Sequence, residues 1–435
     1  MNTLRSRVEN NWPAWLLALM VVGNLTSTRR FSHLGVSPIY IGEIALGTVL
    51  FWRFGIYLQR WIQPLVTRHP LSGVSWAILT SILFGSLQVL RGALTQDSLF
   101  VTLSCFAFHL YPLFFFLGVE VGTRRPEFLR NFLRWFVWIH GFYGFAYILV
   151  FSPLGLVDTL ETGIPLFSQP AGASISILAV LCFERVGGRS LVPLLMNFFV
   201  LIGVQVRAEW LGFVTSISTW SVLTGHLRQM AKFLVFVSLI TLVGLITDFK
   251  VPAPAGRGGE ISVRGIVGRA LAAVSPDLAG NLLDDPDRFN ATVSWRTAWW
   301  REVVTVAHES PHTAIFGLAY GFPIWDYHPE GVEDGLRTPH SILVFTLGYT
   351  GWIGLAIYLA LQLSLGSLLW RTFRATGQPF GLQVWMLINI WATADNLLEA
   401  PYGAIPFYLL LGLAAAPISA PLSRGNECTD ARRKP

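Results

Sequence analysis

Long apolar runs recur along almost the whole chain of 435 residues, separated by short polar stretches. Most runs contain about 17 to 22 residues, enough for a helix rising ~1.5 Å per residue to cross a ~30 Å hydrocarbon core. The pattern therefore predicts an all-α integral membrane protein with about twelve transmembrane helices. They are placed at 12–27, 37–57, 72–91, 98–119, 131–151, 168–184, 190–206, 209–225, 231–248, 340–369, 380–394 and 402–419.

The composition excludes a soluble domain of ordinary balance, because 53% of the residues are hydrophobic and only 13% are charged. The first predicted helix has a short apolar centre, Leu16 to Val22, preceded by Arg5 and Arg7, as in a secretory signal. No small-residue cleavage site follows, because the stretch TSTR (26–29) is a poor one, so this helix is predicted to remain as a membrane anchor.

The distribution of Lys and Arg predicts the orientation of the chain. Most of these residues fall on one side of the predicted membrane, whereas the short loops of the other side hold only Arg29, Arg30, Arg91 and Arg207. Positive charge accumulates in cytoplasmic loops, so both termini are predicted to be cytoplasmic. The net charge of +6 is explained by this topology and by anionic lipid, and no motif indicates nucleic-acid binding.

One polar segment, about 249–339, separates the ninth and tenth predicted helices and is placed outside the cytoplasm. The predicted organisation is transmembrane helices 1–9 in residues 1–248, this large extracytoplasmic loop, and helices 10–12 with a cytoplasmic tail in 340–435. Short loop helices are predicted around 259–274 and 291–308.

The second loop helix is predicted to have one apolar face, suited to lie on the membrane surface or on the helix bundle. Four apolar residues at helical spacing form this face: Trp295, Trp299, Val303 and Val306. Arg296 and Trp300 project from a neighbouring face.

Four stretches of sequence stand out on the predicted outer side. They are RAEWLG (207–212), SWRTAWW (294–300), IFGLAYGF (315–322) and PHSILVFTLGYTGWIGL (339–355). In this order, and with the large loop between helices nine and ten, the chain resembles the bacterial O-antigen ligase and O-antigen polymerase superfamily. Members of that family commonly have His-Asn where this chain has His340-Ser341, and serine also forms hydrogen bonds.

The resemblance implies a glycosyltransferase of the bacterial inner membrane with a periplasmic active site. The donor would be a glycan linked to undecaprenyl diphosphate, and the acceptor a lipid-A core or another glycan. Transfer by direct displacement implies inversion at the anomeric carbon. We expect no metal and no cofactor, since the acidic stretch of the loop, Asp284-Asp285 followed by Pro286-Asp287, is interpreted as a turn and not as a metal-binding cluster.

His340 is the predicted catalytic residue. Thr338, Pro339 and His340 are interpreted as N-cap, N1 and N2 of the tenth helix, because proline suits the first helical position. The positive end of the helix dipole would favour the neutral imidazole, which can accept a proton. The alternative is a histidine that only hydrogen-bonds to lipid or water, and the resemblance favours the catalytic role.

Arg207 and Arg296 are predicted to bind the diphosphate, because guanidinium groups grip phosphate oxygens bidentately and both positions match the family's motifs. A salt bridge between Arg207 and Glu209 is the structural alternative. Arg29 and Arg30 form a weaker candidate patch that would otherwise merely flank the first helix. Arg337 is a candidate only through its closeness to His340 in the sequence.

Two carboxylates follow the eleventh predicted helix, Asp395 and Glu399. They would orient an arginine or the acceptor sugar, or they would be solvated loop residues.

A polymerase that joins two lipid-linked glycans would use the same residues as a ligase, so the sequence leaves both open. A transporter of lipid-linked glycan is a more distant alternative. Transporters usually show two similar halves and charged or broken helices near the midplane. This chain shows no internal repeat.

Overall fold

The computed structural model describes residues 2–36, 39–67, 69–96, 98–154, 171–184, 188–248, 250–253, 260–272, 286–328 and 338–419. Within them the chain is almost entirely helical. The helices of the first half are α1 Asn2–Ser32, α2 Ile41–Trp52, α3 Phe54–Val66, α4 Ser72–Thr95, α5 Leu99–Leu110, α6 Phe114–Arg124, α7 Phe128–Ala146, α8 Ala171–Phe183, α9 Leu191–Gly203 and α10 Arg207–Leu223. Those of the second half are α11 Leu227–Thr247, α12 Val263–Ala272, α13 Pro286–Ala307, α14 Pro311–Phe316, α15 Ile342–Thr376, α16 Phe380–Ala392 and α17 Pro401–Ser419.

The described part of the chain also contains two short antiparallel hairpins. Strands β1 (Gly35–Val36) and β2 (Ile39–Tyr40) follow α1, with Gly35 opposite Tyr40. Strands β3 (Lys250–Pro252) and β4 (Glu260–Ser262) follow α11, with Val251 opposite Ile261. The predicted loop helix at 259–274 therefore begins as a strand and becomes helical only at α12.

Among the described residues, six helical segments are long and apolar enough to cross a membrane. They are Ser72–Thr95, Leu99–Arg124, Phe128–Phe151, Met230–Thr247, Ile342–Thr376 and Pro401–Ser419. Helices α8, α9 and α16 are apolar but shorter. All twelve predicted segments contain helix, which confirms the all-α prediction, while the count of about twelve spans stays a prediction.

The predicted single helix at 37–57 is wrong, because α2 and α3 are bent by 92° at the break between them. Arg53 lies at the break in a non-helical conformation. Its guanidinium donates to the buried Glu120 carboxylate of α6 at 2.5 Å. A charged residue within an apolar run is unfavourable in the membrane unless it finds a partner, and here the chain bends where Arg53 meets Glu120. Helices α2 and α3 give a seventh candidate span only if the two are counted as one.

Helix α17 lies in the middle of the bundle, with nearly all of its residues buried. It packs closely against α6, where Gly412 approaches Gly118 and a Cβ on Gly118 would overlap the α17 backbone. Small residues let membrane helices approach in this way, so that packing rather than water exclusion holds them together.

The polar loop packs on the bundle through the predicted apolar face of α13, which the structure confirms. Trp299 and Val303 are fully buried, and Val306 is nearly so. A Cβ on Gly348 of α15 would overlap Val303, which shows how closely the two helices approach. Helix α13 is therefore fixed against α15, and its other side chains are held in place above the bundle.

Candidate active site

The start of α15 differs from the sequence prediction, and this changes the setting of His340. The N-cap is Ser341, whose hydroxyl accepts from the backbone N–H of Val344 at 3.5 Å. His340 has a left-handed backbone with φ of 53°. The interpretation of Thr338, Pro339 and His340 as N-cap, N1 and N2 is therefore wrong.

A tertiary contact explains the difference. The indole of Trp300 on α13 donates to the carbonyl of Pro339 at 2.5 Å, holding this residue outside the helix. Serine is as good an N-cap as threonine, so the local sequence allows the helix to begin after Thr338 or after Ser341. The Trp300 contact favours the start after Ser341. His340 thus precedes the helix and lies outside its first turn.

The His340 ring instead pairs with Asp395, in the loop after α16. Its Nδ1 lies 3.5 Å from Asp395 Oδ1, and the two side chains are only 11% and 13% exposed. Trp295 of α13 packs edge-on against the imidazole with 6.0 Å between ring centroids. The ring is therefore held between an indole and a carboxylate.

Asp395 is itself held by two N–H donors. The indole of Trp391 donates to Oδ2 at 3.0 Å, and the backbone N–H of Asn396 donates to Oδ1 at 2.9 Å. Burial raises the pKa of Asp395, but the hydrogen bond and charge of His340, followed by the charge of Arg296 and the Trp391 indole, bring this pKa well below its usual range. A lowered carboxyl pKa means that Asp395 stays ionised through neutral pH and loses its charge only in strong acid.

Arg296 is attached to the same loop. Its Nη1 donates to the carbonyl of Ala394 at 2.8 Å, one residue before Asp395, and its Cζ lies 5.3 Å from the centroid of the Trp295 ring. This hydrogen bond holds the Arg296 guanidinium next to the His340–Asp395 pair.

Arg207, the first residue of α10, lies close enough to Arg296 for their charges to interact. Burial, followed by the charges of Arg296 and then Arg269, lowers the pKa of Arg207 to about 10. Like charges brought together out of water are unfavourable unless an anion joins them, so this arrangement favours binding of an anion. Sequence reasoning missed Arg269, whose only signal was its place in the predicted loop helix 259–274.

The structure separates Arg29 from Arg30. Thr28 interrupts α1 with φ of 40°, and Arg29 then lies with its Cζ 5.8 Å from the centroid of the Tyr402 ring. When the Asn396 amide is oriented to satisfy both ends, its oxygen accepts from Arg29 Nη2 at 3.3 Å and its nitrogen donates to Asp395 Oδ1 at 3.1 Å. Arg29 therefore joins the site.

Arg30, by contrast, is exposed. Its charge acts on Tyr143 of α7. Arg337 lies outside the described residues.

Glu399 lies beside this cluster, and both of its carboxyl oxygens are shielded from solvent. Burial raises its pKa, the hydroxyl of Thr338 lowers it, and the charge of Asp395 raises it further, so that the pKa lies well above its usual range. These surroundings favour the neutral form of Glu399 and the ionised form of Asp395. The alternative that these two residues are solvated loop carboxylates is wrong, because both carboxyl groups are buried.

Fold and site together define a multi-pass helical membrane protein in which arginines, a histidine and an ionised carboxylate meet in one cluster. In comparisons with known proteins, residues 192–359 match the family model described as O-antigen ligase. The match confirms the resemblance to the O-antigen ligase and O-antigen polymerase superfamily. It includes Arg207, Arg296 and His340 but ends before Asp395. A comparison with curated proteins found no match.

Proposed function

We propose that the protein is a glycosyltransferase that moves a glycan from an undecaprenyl-diphosphate carrier to an acceptor hydroxyl at the periplasmic face of the inner membrane. The observation that carries the proposal is the His340–Asp395 pair beside Arg296, within reach of the charge of Arg207. An acid–base group and a cluster of cations are the two parts that such a transfer needs.

The arginines bind the donor in this mechanism. Arg207 and Arg296 hold the oxygens of the diphosphate, and Arg269 adds positive charge that acts on Arg207. As the bond between the anomeric carbon and the phosphate oxygen breaks, its electron pair goes to the carrier diphosphate. Guanidinium groups stabilise that developing charge more strongly in a shielded site than in water. Among the described residues, no group of three or more His, Cys, Asp or Glu could hold a metal ion.

His340 and Asp395 activate the acceptor. With Nδ1 facing the carboxylate, the neutral ring carries its proton there and leaves Nε2 as the base. The acceptor oxygen loses its proton to Nε2 and forms the new bond to the anomeric carbon on the face opposite the departing diphosphate, so the configuration inverts. Asp395 stabilises the imidazolium that results, as an ionised carboxylate does for histidine in hydrolytic triads.

The direct test is transfer by the purified protein in lipid nanodiscs. A synthetic polyprenyl-diphosphate glycan serves as donor, and lipid-A core oligosaccharide or a second lipid-linked glycan serves as acceptor. Transfer to the core indicates a ligase, and elongation of the lipid-linked glycan indicates a polymerase. Binding of the donor with transfer to neither acceptor would contradict the proposal.

The two buried carboxyl groups provide a matched pair of variants. Asp395→Asn removes the charge that orients His340, and we expect transfer to fall roughly 10–100-fold, as for partners that orient histidine ligands. Glu399→Gln resembles the neutral acid already present, so transfer is expected to stay within about twofold of wild type. Initial rates of both variants, at equal amounts of folded protein, provide the measurement. Equal losses in the two variants would contradict the assigned charge states.

The proposed topology has both termini in the cytoplasm and residues 249–339 in the periplasm. Single cysteines are introduced at Glu260, Glu330 or Phe128 of a cysteine-free variant. In cells with a permeabilised outer membrane, an impermeant thiol reagent is expected to label the first two positions and not the third. The reverse pattern would refute the orientation and the periplasmic site with it.

A further inference from the structure

The motif IFGLAYGF has no part in the mechanism above, yet the structure gives it a definite place. We call residues 315–322 the wedge segment. Helix α15 is interrupted at Gly351, where φ is 65° and ψ is −166°. Just before this break, the carbonyls of Gly348 and Tyr349 accept from the backbone N–H groups of Leu318 and Ala319, at 2.8 and 3.1 Å. The break at Gly351 removes the helical N–H donors of these two carbonyls, and the wedge segment supplies replacements.

This backbone pairing depends on two glycines. A Cβ on Gly317 would overlap the backbone of Tyr349 and Thr350, and one on Gly351 would overlap the backbone of Ile315 and Gly317. Both residues also have positive φ, which favours glycine. Gly317 of IFGLAYGF and Gly351 of LGYTG are therefore explained by one close contact between two segments of backbone.

Helices α4 and α5 hold the wedge segment from the other side. Arg91 donates through Nη1 to the carbonyl of Phe316 at 2.7 Å and through Nη2 to that of Gly317 at 3.1 Å. Gln88 also donates to the Phe316 carbonyl, at 3.0 Å. Thr102 donates to the carbonyl of Tyr320 at 3.2 Å. Irregular backbone at the end of a membrane bundle is stable only when its polar groups find partners in this way.

The wedge segment continues into residues that fix α13. The buried indole of Trp299 donates to the carbonyl of Ile324 at 2.8 Å. His328 packs against both Trp295 and Trp299, with 4.8 and 4.9 Å between ring centroids. On the same helix, Trp295 contacts His340 and Arg296 donates to the carbonyl of Ala394. A continuous series of contacts therefore connects Arg91 to the active site through the wedge segment and α13.

We infer that Arg91 is a positioning residue for glycosyl transfer: by holding the Phe316 and Gly317 carbonyls it fixes the wedge segment and, through α13, the placement of Arg296. Arg91 is one of the few cations predicted in the outer short loops. Its guanidinium is directed at backbone and not at the arginine cluster. The inference rests on the proposed function, because its effect is measured as transfer.

The variant Arg91→Gln removes the fork that reaches both carbonyls. We expect kcat/KM for the donor to fall roughly 10–100-fold, since small displacements of binding groups can cost that much. Arg371→Gln is the matched control, because Arg371 also donates to a backbone carbonyl, that of Pro70 at 3.4 Å, from an exposed position on α15. The control is expected to transfer normally.

A double-mutant cycle distinguishes positioning from a general loss of stability. If Arg91 acts through α13, adding Arg91→Gln to an Arg296→Lys protein lowers kcat/KM little further. Adding it to an Arg207→Lys protein lowers kcat/KM by the same factor as in the wild type, to within roughly twofold, as for independent sites. Normal transfer by Arg91→Gln, or equal additivity in both backgrounds, overturns the inference. If Arg91→Gln does not fold, Arg91→Lys, which can reach only one carbonyl at a time, takes its place in the cycle.

The failure of this inference can be told from the failure of the proposed function. Absence of transfer by the wild-type protein would refute the proposed function. Loss of transfer in Arg207→Lys and Arg296→Lys, together with an unaffected Arg91→Gln, would refute the positioning role alone.

Discussion

Replacing His340 with glutamine is expected to lower the rate of glycan transfer about 10²–10⁴-fold, or roughly 3–5 kcal/mol in activation free energy. Glutamine can form a hydrogen bond at the same place but cannot act as a base near neutral pH. The pairing of Nδ1 with the ionised Asp395 carboxylate is the structural reason, because it prepares the ring to take a proton. Single-turnover transfer with bound donor measures the chemical step.

The His340→Gln protein is expected to bind the donor as tightly as the wild type. This measurement distinguishes a role of His340 as the base from a role as a ligand of the diphosphate. His308→Gln is the control, since His308 is exposed at the end of α13. A His340→Gln protein that transfers at the normal rate would refute the catalytic role. Loss of donor binding in that variant would reassign His340 to the diphosphate.

Arg207→Lys and Arg296→Lys are each expected to lower kcat/KM for the donor about 10²-fold, the effect of removing one preorganised donor to a developing anion. Lysine keeps the charge but loses the planar fork that binds phosphate bidentately. Arg296→Lys also loses the bond to Ala394, so its loss is expected to be the larger.

Arg264→Gln is the matched control for the arginine variants, because Arg264 is exposed on α12 and lies on the same helix as Arg269. Its kcat/KM is expected to equal that of wild type, while Arg269→Gln is expected to lose affinity for the donor. Wild-type transfer by Arg207→Ala in a well-folded protein would refute the diphosphate site.

Several features could be predicted from the sequence because they depend on local periodicity. The apolar runs predicted helices in all twelve places, and the spacing from Trp295 to Val306 predicted the buried face of α13. The four motifs predicted a resemblance to the superfamily, which the match over residues 192–359 confirms. Each of these properties is set within a stretch of residues that are close along the chain.

Other features depend on contacts between distant residues. The pair formed by His340 and Asp395 joins positions 55 residues apart, and a carboxylate in a loop has no local signal that separates burial from exposure. The helix start at Ser341 was decided by Trp300, and the bend between α2 and α3 occurs at Arg53, which pairs with Glu120.

The sequence by itself determined the helical membrane class, the amphipathic loop helix and the candidate residues His340, Arg207 and Arg296. The tertiary structure decided which candidates meet: it brought Arg29, Asp395 and Arg269 to the site and directed Arg30 away from it. It also explained Gly317 of IFGLAYGF by a close backbone contact at Gly351. The physical cause is the same throughout, because helix propensity acts along the chain whereas burial, charge pairing and capping by distant side chains act only after the helices have packed.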